Sequence, residues 1–190
     1  MTSDTPIPDM CPVPPVRKGV RLYNLWRNKD GTAAVEAAFL FPILITMFFG
    51  LWDLGNGMLM NQQTITASQV VGDLITRERT VDTTKLNNYI VAGQLAFGNA
   101  PTTSYGIDIL SVKFGPTGQP TQLWRETRNM TPDTVALSKS AGLGSAGEGV
   151  VVVTVQYTYK PTFASIFTGA MVMREQAFLR GRRSPVVERI

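Results

Sequence analysis

The chain has 190 residues, a net charge of +4, a single cysteine and no histidine. That length allows one membrane helix and one small domain. The absence of histidine excludes a zinc cluster, a histidine-based triad or a haem ligand pair, and the lone Cys11 leaves no intrachain disulfide.

Residues 1–15 are rich in proline with scattered Thr, Ser and Asp, the composition of a disordered start. Arg17, Lys18, Arg21, Arg27 and Lys29 follow, with Tyr23 and Trp26 among them. This segment reads as the cytoplasmic flank of an anchor or a short interfacial helix. A basic patch also suits nucleic acid, but there is no aromatic platform or recognition fold to go with it, so no nucleic-acid partner is expected. Cys11 has no long apolar run before it, which argues against lipoprotein processing.

From Ala37 to Trp52 there are 16 residues without a charge. The stretch Thr32–Leu54 is 23 residues long and is broken only by Glu36 and Asp53. As a helix it rises about 34 Å, enough to cross a hydrocarbon layer of about 30 Å. The run is apolar around its whole circumference, unlike a helix packed on a domain surface. It also lacks a clean small-x-small cleavage site after it and begins beside a glutamate, unlike a signal peptide. No Lys or Arg occurs between Leu54 and Thr76. The positive-inside rule therefore puts the N-terminus in the cytoplasm and the rest across the membrane.

Within this stretch lies a local pattern. Lys29-Asp30-Gly31 is followed by Thr32-Ala33-Ala34-Val35-Glu36, then by an apolar run containing Pro42, then by Gly50, Asp53 and Gly55. Over residues Gly31–Asp73 this resembles the TadE-like family of tight-adherence (Flp) pilus assembly pseudopilins. The resemblance implies cleavage between Gly31 and Thr32 by a prepilin peptidase, with Glu36 as the fifth mature residue. It implies partners among other pseudopilins and membrane-bound assembly components, with the major pilin a further possible one. It implies no catalysis by this chain, and neither cofactor nor metal. Physical chemistry adds to this reading. A carboxylate at the head of a membrane helix is costly against lipid. Placed in the first turn of a new helix it gains from the dipole, and it can pair with the α-ammonium that cleavage creates.

Pro42 should bend the helix locally. Beyond Trp52 the helix should continue into water, with Met58, Ile65, Val71, Leu74 and Ile75 as its packing stripe and Ser68 among the interrupting polar residues. Thr80-Val81-Asp82 reads as a break with Asp82 as an N-cap, and Thr83–Phe97 as a second amphipathic helix. After a turn at 98–103 the period changes to that of strands. Tyr105, Ile107 and Ile109 alternate, then Leu110, Val112 and Phe114 take the other parity. That shift marks either a bulge or a strand covered on both faces. Residues Thr121–Arg128 form the return strand with Trp124 inward, and Thr131–Gly149 is a long loop, either a contact surface or mobile. Gly149–Lys160 is the strongest strand, and Pro161 stops it. Phe163, Ile166, Phe167 and Ala170 suit a short helix or wrapped loop. A last strand covers Ala170–Leu179 with Met171 and Met173 inward, and includes the Arg174-Glu175 pair. Those two charges rule out a second membrane span.

The expected architecture is α+β, a long N-terminal membrane helix continuing into a small pilin-like domain with a mainly antiparallel sheet. Its parts are a cytoplasmic leader (1–31), a transmembrane helix (32–54), a helical stalk and second helix (55–97), a β-rich domain (98–180) and a flexible tail (181–190). The function implied is that of a minor pseudopilin or assembly component, single-pass in the bacterial inner membrane with its C-terminal domain periplasmic or extracellular, either entering the pilus or staying in its assembly base. Two alternatives differ in class. One is a membrane-anchored extracytoplasmic scaffold or binding protein without pilin-type processing. The other is a secreted enzyme using Asp108, Asp133 or Glu148, which the sequence does not bring together.

Overall fold

The computed structural model describes residues 31–166 and 168–190. The readings made above for residues 1–30, including the leader, Trp26 and Cys11, lie outside the described residues. The chain divides into two units, Met1–Ile45 and Thr46–Ile190.

Helix α1 runs from Thr32 to Thr76 and holds Pro42 in its interior. Proline has no amide hydrogen to give to the carbonyl of Ala38. In the first unit every described residue is exposed, including Val35, Phe39, Leu40, Phe41, Ile43, Leu44 and Ile45. The most apolar stretch of α1 is long and hydrophobic enough to cross a membrane, and none of the described residues buries it.

In the second unit the C-terminal half of α1 becomes a packing helix. Its buried residues there are Gly57, Thr64, Ala67, Ser68, Val71, Gly72, Ile75 and Thr76. Val71 and Ile75 are on the expected stripe, but Met58 is 67% exposed. Ser68, taken from the sequence as an interruption, lies on the buried face. Its hydroxyl donates back to the Ile65 carbonyl at 2.8 Å, and Thr64 does the same to Met60 at 2.8 Å. A small hydroxyl side chain that bonds its own helix is cheap to bury. Small residues matter because the sheet comes very close. A Cβ on Gly72 would sit 2.3 Å from Leu179 Cδ1.

Strand β1 (Thr80–Val81) follows, then α2 (Thr83–Leu95). Asp82 caps α2, accepting from the Lys85 amide at 2.7 Å. A single 3-10 turn at Thr102–Ser104 leads into β2 (Tyr105–Phe114), then β3 (Pro120–Arg128). A short helix α3 (Ala136–Lys139) precedes β4 (Gly149–Tyr159), a 3-10 turn Ala164–Ile166, β5 (Met171–Arg180) and β6 (Glu188–Arg189). The main sheet is antiparallel in the order β3-β2-β4-β5. The α+β expectation therefore holds.

Both readings of the parity change in β2 are realised. The register with β3 shifts between Ser111 and Val112, so that Leu123 has no partner across the ladder. Both faces of β2 are also covered. Tyr105, Ile107 and Ile109 join Val151, Val153, Val155, Ala67, Val71, Ile75, Leu86 and Ile90 in the larger core under the helices. Leu110, Val112 and Phe114 pack with Val150, Val152 and Ala136 on the opposite face. The cover on that face comes from the long loop after β3, through Ala136 and Leu137. The loop is thus a lid on the sheet.

Two expectations need correction. The final ten residues are not a loose tail. Strand β6 pairs in parallel with β1, Val187 is 2% exposed, and Arg182 and Arg189 form ion pairs with Asp73 and Glu126. The sequence signal was weak because two-residue strands have no periodicity to read. Met171 and Met173 do point toward α1, within 3.8 Å and 3.7 Å of a Cβ on Gly57, yet Met171 stays 39% exposed. They lie at the open end of the sheet and not in its sealed core.

Candidate functional site

Gly31 and Thr32 stand at the start of α1, and a side chain added at Gly31 would meet nothing within 4 Å. Both residues are exposed. Glu36 is exposed as well, but it is not in the first turn, which contains no acidic residue. As the fifth helical residue it lies one position too far along for full benefit from the helix dipole, which fades beyond the first turn. The expectation of dipole stabilisation is corrected accordingly. Its charge is left accessible to a partner cation.

The other acidic residue of the apolar run, Asp53, is treated quite differently. It is 2% exposed. Its carboxylate accepts the backbone N–H groups of Thr162 at 3.0 Å, Phe163 at 2.7 Å and Ala164 at 2.5 Å. The Tyr159 hydroxyl donates to its main-chain carbonyl at 3.3 Å. One turn earlier, Phe49 stacks on Phe163 with centroids 4.2 Å apart. Backbone amides that open a tight turn have no partners within it and suit an anion. The loop after β4 is therefore clamped to α1 through a buried acid. In the sequence, Asp53 was visible as part of a pattern, but its partners lie more than a hundred residues away.

A second acidic constellation spans the main sheet. Asp108 is 1% exposed and accepts from Arg125 Nε at 2.8 Å, from a terminal Arg125 nitrogen, from Thr127 Oγ1 at 2.6 Å and from the Asp133 amide at 2.9 Å. Arg125 also donates to the Asp133 carbonyl at 2.7 Å. Gln176 links Asp133 to Thr154, at 2.5 Å and 3.2 Å. Burial alone would raise the Asp108 carboxyl. The hydrogen bonds from Arg125, Thr127 and the Asp133 amide outweigh it and hold the group below the ordinary carboxylate range. Two of the three acids that the enzyme alternative named are thus brought together, contrary to the sequence reading. Every acceptor of Asp108 is engaged by the fold, however, so the cluster pins the loop after β3 to the sheet. Glu148 is elsewhere, beside Arg180 at 3.6 Å. Among the described residues no group of three or more His, Cys, Asp or Glu is gathered as for a metal ion.

These features define a class, an α+β protein that carries, among the described residues, an exposed apolar helix long enough to anchor it in a membrane. Residues 31–72 match the profile of the family described as TadE-like protein, so the chain carries a TadE-like segment that opens where α1 begins and extends onto the packed half of that helix. The match supports a general role in pilus assembly at a membrane. No curated protein and no solved structure matches the chain.

Proposed function

We propose that the chain is a minor pseudopilin or assembly component of a bacterial tight-adherence pilus. A prepilin peptidase cuts it after Gly31, and the mature subunit assembles through α1. The N-terminus faces the cytoplasm, and the domain lies outside the inner membrane. The observation that carries this reading is the coincidence of the TadE-like match at residue 31 with the start of α1 at Thr32. An exposed Gly31–Thr32 junction suits a peptidase, and an exposed Glu36 suits a charge partner on a neighbouring subunit. Such a subunit catalyses nothing itself. Its partners are the peptidase and other pseudopilins of the assembly machinery, with the major pilin as a further candidate.

N-terminal sequencing of membrane-extracted protein, from cells with and without the peptidase, tests the cut. A mature chain beginning at Thr32 only when the peptidase is present is the expected result, and Gly31→Leu should leave a longer precursor. An intact chain in both strains would reject processing and favour the anchored scaffold. Glu36→Gln should leave insertion and cleavage unchanged but lower pilus yield. Normal yield would remove Glu36 from assembly.

A further inference from the structure

We propose that the domain itself enters the membrane interface, through the loop after β4 and the first residues of β5. The lipid layer, and not another protein, covers their exposed apolar side chains. This goes beyond the assembly role and rests only on reading α1 as a membrane span.

The segment from Pro161 to Met173 contains no charged residue and is bracketed by Lys160 and Arg174. Such a stretch is too short to cross a bilayer, but it suits an interfacial dip flanked by charged residues that reach back to water. Phe163, Met171 and Val172 in it are 41%, 39% and 60% exposed.

The position of the segment along α1 sets its depth. Phe163 stacks on Phe49, which belongs to the uncharged run Ala37–Trp52. Phe49 lies one turn, about 6 Å, to the membrane side of Asp53. The 16 uncharged residues rise only about 24 Å, short of a layer of about 30 Å, so the layer reaches past a flanking acid. At the outer end that acid is Asp53. A carboxylate at that level must be kept from lipid. The loop does so by giving it three backbone amides. A loop that shields Asp53 from lipid at the level of the lipid is itself in contact with lipid. Exposed Trp52, Leu54 and Met58 continue the same apolar surface along the helix.

The test uses the full chain with Cys11→Ser, reconstituted in nanodiscs of phosphatidylethanolamine and phosphatidylglycerol. Single cysteines replace Phe163, Val172, Phe41 and Gln122 in turn and carry an environment-sensitive fluorophore. Phe41 reports the span, and exposed Gln122 on β3 reports water. Labels at 41, 163 and 172 should shift to the blue and lose at least half their intensity to doxyl-labelled lipid, while the label at 122 should do neither. Labels at 163 and 172 that behave like 122 would overturn the proposal. So would shielding of 172 from aqueous iodide without quenching by lipid, dependent on several copies per disc, since that assigns the surface to a neighbouring subunit. If the label at 41 also escaped lipid, the span reading would fall with it. A lipid-exposed 41 beside a water-exposed 172 rejects the loop contact alone. Val172→Cys alters a side chain that is already exposed, so it decides the matter even if loss of the Phe163 ring disturbs the stack.

Discussion

Asp108 and Arg125 meet diagonally across β2 and β3, the acid with a fully buried side chain and the guanidinium with its side chain one-fifth exposed. The pair is closed by Thr127 and by the Asp133 amide, which fasten the loop after β3 to the sheet. Breaking one partner leaves the other charge buried and costs about 3–5 kcal/mol. Asp108→Ala should therefore lower thermal stability far more than the paired replacement of Asp108 by Leu and Arg125 by Met, which leaves no charge behind. Melting curves of the full chain in detergent check this. Equal losses in the single and paired variants would show that packing of the site matters more than its charge.

The same cluster sets an acid limit. The Asp108 carboxyl in the folded protein lies below its ordinary value near 3.9. Glu126 is also lowered, since the hydrogen bonds from Arg128 and Arg189 outweigh its burial. Both groups bind protons more weakly in the folded chain. Their stabilisation is therefore complete above the unfolded values, near pH 4, and is lost as pH falls through the lower folded ones. The melting temperature should hold roughly level from pH 7 to 5 and fall below about 4. Asp108→Asn should start lower and fall less steeply. An unchanged acid slope in that variant would remove Asp108 as a source of it.

Much of this fold could be read from the chain because its cores obey simple periods. The alternation of Val150–Tyr159 is the inner and outer face of β4, and Asp82 caps α2 where the pattern placed it. Contacts between residues distant in sequence were not legible. Asp53 reaches Thr162, Phe163 and Ala164 through backbone amides, which carry no side-chain signature. Ser68 and Thr64 look polar in a helical stripe, yet they are buried because their hydroxyls bond the helix they belong to. At the junction itself the sequence says more than the fold does. Gly31 and Glu36 stand out by residue type in an apolar context, while the folded chain adds mainly that both are exposed.

Tyr105 offers a change of opposite sign. Its hydroxyl is buried without a hydrogen-bond partner, and burial pushes the phenol well above its ordinary range. An unsatisfied buried polar group costs about 1–3 kcal/mol. Tyr105→Phe should thus raise stability by about 1 kcal/mol and keep the T-shaped contact of its ring with Phe97, 5.5 Å away. Gly93 faces the same hydroxyl. A Cβ there would lie 2.6 Å from both Tyr105 Oη and Val71 Cγ2, so Gly93→Ala should destabilise despite better helix propensity. Removing the hydroxyl relieves only half of that clash, so the double variant should remain below Tyr105→Phe alone. A destabilised Tyr105→Phe would mean that the hydroxyl has a partner, such as water.

The C-terminal residues act as a structural strap. The Val187 carbonyl accepts both the Ser111 hydroxyl at 2.9 Å and the Trp124 indole N–H at 2.8 Å. A chain ending at Arg183 would leave those two buried donors without a partner, expose the pocket of the Val187 side chain and strip β6 from β1. The unpaired donors and the lost apolar burial together should cost about 4 kcal/mol or more. Val187→Ala keeps the carbonyl in place and should cost about 2 kcal/mol, the share of the side chain alone. Ile190→Ala should have little effect, because that side chain is 79% exposed. Melting temperatures in the order Ile190→Ala, Val187→Ala, then the truncation, from highest to lowest, would establish the strap. A truncated chain as stable as the full one would show that Ser111 and Trp124 find other acceptors once the strap is gone.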